Sequence, residues 1–237
     1  MIIVTGTSSG IGLDTAKFLL EKGAHVLGVS RRDTPISHPH FVHVKGDITT
    51  SETQESVAAA VQSVEGIVFN HGVLEPVQPI AKADLAAWKH TFDINFFSIV
   101  SLTQLLLPKL RDGEARIVLV SSGAAVGHYP TWAAYGSSKA ALNHFTGSLA
   151  AEEPLLTPIS IAPGIVDTAM QASIRNVHSE VMGKDLSERF VTLHKKGALV
   201  DPKDSARLLG NLVLSADKNL AGKFLRYDDE SLVQYTS

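Results

Sequence analysis

Apolar residues gather into short, almost uninterrupted runs rich in valine and isoleucine: Ile2–Thr5, His25–Val29, Phe41–Val44, Gly66–Asn70, Arg116–Ser121, Pro158–Ala162 and Lys223–Arg226. Runs without polar alternation suit strands covered on both faces, so seven buried strands are predicted. Between most of them the spacing becomes helical, at Ile11–Lys22 closed by Gly23, Ser51–Gln62, Asp84–Leu110 with a break near Thr91, Ala133–Glu152 and Asp204–Leu214. Parallel strands need crossovers, and those are right-handed. The alternation therefore predicts an α/β fold, doubly wound, with a seven-stranded, mostly parallel sheet and helices on both faces. No linker or repeat divides the chain, and residues 1–237 are expected to form one unit. Only the polar stretch Asp167 to Pro202, with Met170, Met182 and Phe190 spaced along it, breaks the rhythm; it reads as a lid beside the strand ends, at about 167–202.

Charge and cysteine content remove several classes of function. Lysine and arginine number 21 against 24 aspartates and glutamates, a formal net charge of −3, and the longest basic runs are the pairs Arg31-Arg32 and Lys195-Lys196. Nucleic acid and anionic membrane are thus not expected as partners. Without cysteine there are no disulfides, thiolate nucleophiles or Cys-ligated metals. The apolar stretch Ile94 to Leu107 is interrupted by Asn95, Ser98, Ser101, Thr103 and Gln104, too polar and too short to span a bilayer. No export signal is visible at the start, and a cytoplasmic location is expected. The run His38-Pro39-His40-Phe41-Val42-His43 lacks a carboxylate and enters a strand whose alternate residues face opposite ways, so no metal is expected.

The first strand runs into Thr5-Gly6-Thr7-Ser8-Ser9-Gly10-Ile11-Gly12 and then into an amphipathic helix. This placement suits a phosphate-binding turn. Gly6 permits the tight exit, Gly10 the approach of a pyrophosphate, Gly12 close helix–strand packing, and the helix start offers free N–H groups. Gly6-Thr7-Ser8-Ser9-Gly10 also spells the G-x-S-x-G elbow of an α/β-hydrolase. An elbow needs upstream strands for its oxyanion loop, and only Met1 to Thr5 precede it.

Within the predicted helix Ala133–Glu152, Tyr135 and Lys139 lie four residues apart and share one face. Ser122 follows the strand-like run Val118-Leu119-Val120-Ser121, at the strand end where such sheets meet their ligands. A free phenol has a pKa near 10, and one that exchanges protons near neutrality must be acidified. An ammonium about 5.5 Å away, at an effective dielectric of about 20, favours the phenolate by about 3 kcal/mol. Lys139 is therefore expected to lower the Tyr135 pKa.

Taken together, these residues resemble the short-chain dehydrogenase/reductase family over essentially the whole chain. The resemblance rests on the turn Thr5 to Gly12, Asp47, Asn70-His71-Gly72, Asn95, Ser122, Tyr135, Lys139 and Pro163-Gly164-Ile165-Val166-Asp167-Thr168. Stretches such as Gly72–Val77, Asp93–Val100 and Tyr135–Phe145 are similar to those of the fungal benzil reductases, relatives of sepiapterin reductase. The resemblance implies a Rossmann fold and a carbonyl reductase. Tyr135 would donate the proton, Ser122 orient the carbonyl oxygen, Lys139 lower the tyrosine pKa and hold the nicotinamide ribose, and Asn95 anchor a water relay. It further implies cofactor contacts from Gly6, Ser8, Ser9, Gly10, Ile11 and Gly12 at the turn, Asp47 and Ile48 beside the adenine, Asn70 and Gly72, and Pro163, Gly164, Ile165, Val166 and Thr168 at the nicotinamide.

Where an NAD site carries an acidic residue at the end of the second strand, this chain has Val29-Ser30-Arg31-Arg32. Ser30 and Arg31 suit a 2′-phosphate, which predicts NADP(H). Leu74, Pro76, Val77, Tyr129, Trp132, Val166 and Met170 are expected to wall the substrate site, with no arginine clamp for a carboxylate. A hydrophobic ketone fits such walls better than a keto acid, and the resemblance to benzil reductases implies a benzil-like α-dicarbonyl reduced to a hydroxyketone. His71 is read as a loop residue. A catalytically silent NADP-binding regulator is the competing reading, opposed by the presence of Ser122, Tyr135 and Lys139 together. The apolar faces of Asp84–Leu110 and Ala133–Glu152 look broader than one sheet face needs, and the resemblance implies subunit contacts there, in a homodimer or homotetramer.

Overall fold

A computed structural model describes all 237 residues. Seven strands, β1 (Ile2–Thr5), β2 (Val26–Ser30), β3 (Phe41–Lys45), β4 (Gly66–Phe69), β5 (Arg116–Val120), β6 (Thr157–Ala162) and β7 (Phe224–Arg226), form one sheet in the order β3-β2-β1-β4-β5-β6-β7. Every pairing is parallel. The sheet is the Rossmann arrangement the alternation predicts, with strand ends displaced by at most a residue or so. From β1 the chain winds outward to β2 and β3, then returns to β4 on the other side of β1. Where the winding reverses, the loops after β1 and β4 part and leave a crevice.

Strand residues alternate between two cores. Ile2 and Val4 face α1 (Gly10–Glu21) and the helix Pro202–Ser215, whereas Ile3 faces α2 (Ser51–Ala60) and the long helices of the other layer. α3 (Leu85–Phe92) leads into α4 (Ser98–Asp112), and α4 and α5 (Ala133–Glu152) are those long helices. The interruption expected near Thr91 is a π turn at Asp93–Phe97, which leaves the helical run continuous from Leu85 to Asp112. By length and composition that run could cross a bilayer, but Leu102, Leu106 and Leu110 are fully buried in the core. Its apolarity is accounted for by packing.

The segment after β6 is helical: α6 (Ala169–Asn176), α7 (Ser179–Met182) and α8 (Lys184–Lys195), followed by α9 (Pro202–Ser215). Its two ends are tied together, because Val166 bridges Val200 and the Val200 N–H donates to Ile165. Its apolar residues Ile174, Met182 and Phe190 join Leu74, Ala124, Trp132 and Tyr135 in a third, smaller cluster over the strand ends. Phe190 stacks on Trp132 with centroids 5.7 Å apart and planes 8° from parallel.

Candidate active site

One cavity of about 1060 Å³ runs along the carboxyl ends of the strands, from Arg31 and Asp47 at one end to Trp132 and Phe190 at the other. That is the upper range for a small-molecule site and leaves room for a dinucleotide with a substrate beyond it. At its centre is the turn from β1 to α1. Gly10 takes φ +58°, where a side chain is strained. Gly12 does not line the cavity; a Cβ there would collide with the Gly6 carbonyl and the Asn70 amide, so it sets the packing behind the turn. Ser9, the residue before α1, makes no side-chain cap, and the first N–H groups of the helix remain for an anion. These features fit a pyrophosphate. Gly6, Ser8, Ser9, Gly10, Ile11, Asp47, Ile48, Asn70, Gly72, Pro163, Gly164, Val166 and Thr168 all line the cavity. Ser8 therefore sits on a nucleotide turn rather than at a hydrolase elbow.

The end of β2 differs from expectation. Ser30 reaches the cavity wall, but its hydroxyl is held within the protein, donating to the Arg32 carbonyl at 2.7 Å and bonding His43 Nε2 at 2.9 Å. That hydroxyl therefore bonds within the protein. Arg31 lines the cavity, and Arg32, which sequence reasoning passed over, lies across the glycine turn and donates to Ser8 and Ser9 at 3.3 and 3.2 Å. Asp47 accepts from the Thr49 N–H and hydroxyl; burial pushes its carboxyl up, but these bonds hold it below the usual range.

Tyr135 and Lys139 stand on successive turns of α5, 8% and 3% exposed. Lys139 Nζ donates to the Val120 carbonyl at 2.7 Å and lies 6.0 Å from the Tyr135 ring centre. Burial lowers its pKa to about 8. The Tyr135 phenol shifts the opposite way from the expectation. Loss of water drives its pKa up, and a hydrogen bond with Ser122 only partly offsets this. Desolvation in the packed cluster outweighs the attraction of a nearby ammonium. At neutral pH the phenol is consequently a fully protonated acid.

Asn95 lies within the π turn, fully buried and off the cavity wall. Its Oδ1 accepts from the Val73 N–H at 2.8 Å, while Nδ2 donates to the Val73 carbonyl at 2.9 Å and to Ser138 at 3.1 Å. Both amide hydrogens are thus used in clamping the loop after β4 to α5. Ser138 in turn donates to the Tyr135 carbonyl at 2.7 Å, so the clamp ends on the helical turn that carries the phenol.

His71 is more than a loop residue. Its Nε2 faces the Ile94 carbonyl at 3.1 Å and Ser98 at 2.9 Å, and Nδ1 faces the Thr5 hydroxyl at 2.7 Å. A carbonyl can only accept, so Nε2 carries the hydrogen and Nδ1 accepts from Thr5. The ring ties β1 to the π turn as a neutral base, its pKa lowered to about 4 chiefly by burial and then by the Lys139 charge. An unfolded histidine titrates near 6.5, so as pH falls from about 6.5 to 4 the unfolded chain takes a proton that the folded chain refuses. Stability is expected to fall across that window by up to about 3 kcal/mol on account of His71, less where water screens the ring. Urea unfolding of His71→Gln at several pH values should give a shallower acid limb than the native chain, and identical slopes would contradict this assignment.

Of the expected substrate walls, Leu74, Tyr129, Trp132, Val166 and Met170 line the cavity. Pro76 and Val77 do not; Val77 packs behind it on the third cluster. The helical segment adds Ile174, Arg189, Phe190 and Leu193, whose approach depends on how that segment folds back. No group of histidines and carboxylates is arranged to hold a metal.

The family model described as short chain dehydrogenase matches residues 1–178. A benzil reductase ((S)-benzoin forming) of Saccharomyces cerevisiae is 41% identical over 255 residues, covering 98% of this chain and 97% of that protein. The crystal structure of a short chain dehydrogenase/reductase from the same yeast superposes with a TM-score of 0.96 at 39% identity, covering 100% of this chain and 99% of the other. A short chain dehydrogenase of Shigella flexneri, solved in complex with NADP, superposes with a TM-score of 0.79 at 26% identity, covering 96% of each chain.

Proposed function

Because the chain belongs to the short chain dehydrogenase family and is an oxidoreductase that uses NADP(H), we propose that its substrate is an aromatic α-dicarbonyl reduced to the hydroxyketone. The observation that carries this reading is one continuous cavity. It joins the nucleotide turn to Ser122 and Tyr135 and then to walls of Leu74, Tyr129, Trp132 and Phe190. Flat aromatic walls beside a single pair of hydroxyls suit a flat apolar molecule with one polar centre.

The residues divide the work as follows. When bound, NADPH supplies the hydride for the carbonyl carbon. Ser122 donates a hydrogen bond to the carbonyl oxygen and orients it, and Tyr135 delivers the proton that the new alkoxide requires. Lys139, between the Val120 carbonyl and Gly72, is placed to hold the nicotinamide ribose, and its charge grows in influence once water leaves the site. Asn95 acts through Val73 and Ser138 as a positioning residue. The segment 167–202 is the lid. It is pinned at Val166 and Val200 and latched where Phe190 meets Trp132.

A phenol whose pKa is raised favours reduction. Ketone reduction is expected to be level from about pH 6 to 8 and to decline only as the phenol ionises, whereas oxidation of the hydroxyketone should climb with pH. A pH-rate profile in both directions checks this; an acid-side pKa near 6 for oxidation would contradict it. The function itself is tested by following NADPH absorbance with benzil beside aliphatic ketones. Benzil is expected to be reduced with at least tenfold higher kcat/KM, and failure to consume NADPH with any diketone would overturn the reading.

A further inference from the structure

The side of α8 that borders the cavity carries one charged residue, Arg189, which is solvent-exposed. Leu186, Phe190 and Leu193 recur at helical spacing and turn toward the third cluster and the cavity. Arg189 occupies the same face and lines the cavity beside Phe190. The guanidinium has no hydrogen bond and no carboxylate within ion-pair distance; the neighbouring Glu188 faces Lys184 instead. Elsewhere in the cavity the charged lining is Arg31, Arg32, Lys139 and Arg226 against Asp47 alone, and Asp47 lies at the far end, beside Arg31. Arg226 is already occupied by Asp228 at 3.2 Å. At the substrate end, therefore, the cavity presents one free guanidinium and no anion. An exposed guanidinium at the edge of an aromatic-walled cavity, with no ion pair of its own, is free to meet an anionic ligand.

We propose that Arg189 is a specificity-determining residue, and that the cavity also takes aromatic carbonyl compounds carrying a carboxylate next to the reacting carbonyl. The guanidinium offers the planar pair of donors that a carboxylate accepts, while Trp132, Tyr129 and Phe190 hold the ring. This departs from the expectation of a site without an arginine clamp, which favours a ketone over a keto acid. The inference rests on the reading of Ser122 and Tyr135 as the reacting end. The reaction is balanced as a two-electron reduction: the α-keto acid, NADPH and one proton give the α-hydroxy acid and NADP+. The hydride forms the new C–H bond, the carbonyl π bond breaks, and its oxygen takes the proton from Tyr135, which is reloaded from solvent.

Phenylglyoxylate and benzil share the phenyl ketone and differ in charge. For Arg189→Leu, which removes the charge and keeps a good helix former, the ratio of kcat/KM for phenylglyoxylate to that for benzil is expected to fall at least tenfold, mainly through KM, the size of one charge-assisted hydrogen bond in a partly solvated site. Arg189→Lys should restore part of it. Raising ionic strength should increase the native KM for phenylglyoxylate more than that for benzil. Equilibrium binding of phenylglyoxylate in the presence of NADP+, read by tryptophan fluorescence, needs no turnover and should weaken by a similar factor in Arg189→Leu. Absence of benzil reduction alone would count against the proposed function and leave this binding test standing. A specificity ratio and a binding constant both within twofold of native would overturn the role of Arg189.

Discussion

Tyr135→Phe is expected to lower ketone turnover by about 10²- to 10⁴-fold, the range a positioned general acid contributes. Phenylalanine keeps the ring that packs with Leu74, Ala124 and Trp132 and removes only the hydroxyl. Folding should survive, and the NADPH dissociation constant should change by less than about threefold, because one hydroxyl among many cavity-lining groups is lost. Fluorescence titration of NADPH beside steady-state rates separates the two effects. Equal loss of binding and turnover would mean that Tyr135 serves the cofactor site and not the proton. Ser122→Ala is expected to be milder, since the phenol and its proton stay in place and only one donor to the carbonyl oxygen is lost.

The second large effect concerns cofactor choice. Arg31→Ala/Arg32→Ala is expected to reduce kcat/KM with NADPH by about 30- to 100-fold while NADH is affected only a few fold, because only NADPH carries the 2′-phosphate that two guanidinium groups would meet. Arg32 is the larger contributor expected, being fixed over the turn by Ser8 and Ser9. Both are solvent-exposed, so the preference should shrink as salt rises. An NADPH-to-NADH ratio unchanged in the double variant would contradict the assignment. Ser30→Ala should leave the ratio near native, since the Ser30 hydroxyl is bonded to Arg32 and His43 within the protein.

Much of this arrangement could be read in the chain before its folding was known. Strands covered on both faces leave an unbroken apolar signature, as at Ile2–Thr5 and Arg116–Val120, and each pairs in parallel in the sheet. Glycines that must take positive φ or admit a neighbour, such as Gly10 and Gly12, mark the nucleotide turn by their spacing. Tyr135 and Lys139 are visible because one helical turn joins them whatever lies around. What escaped depends on contacts between distant segments. The π turn at Asp93–Phe97 inserts no breaker residue, so periodicity placed the interruption a few residues early. Arg31 and Arg32 are adjacent, and only the path of the chain after β2 decides which lies over the turn. Whether Ser30 faces ligand or His43 depends on β3, and the His71 bonds join β1, β4 and α4 across 66 and 27 residues. The Tyr135 pKa direction was missed because desolvation by Trp132, Leu74 and Phe190 is a property of the packed cluster and not of the Y-x-x-x-K spacing. Arg189 lay hidden in a polar stretch whose inner face emerges only once α8 folds back.

The most direct test of a hydride passing across this cavity to a carbonyl carbon is isotopic. NADPH deuterated at C4 on one face, then on the other, is incubated with benzil and the chain, and the hydroxyketone is weighed by mass spectrometry. The account predicts a product one mass unit heavier for one labelled face only, with the deuterium on the carbinol carbon. Unlabelled product from both cofactors, or equal labelling from both, would contradict it.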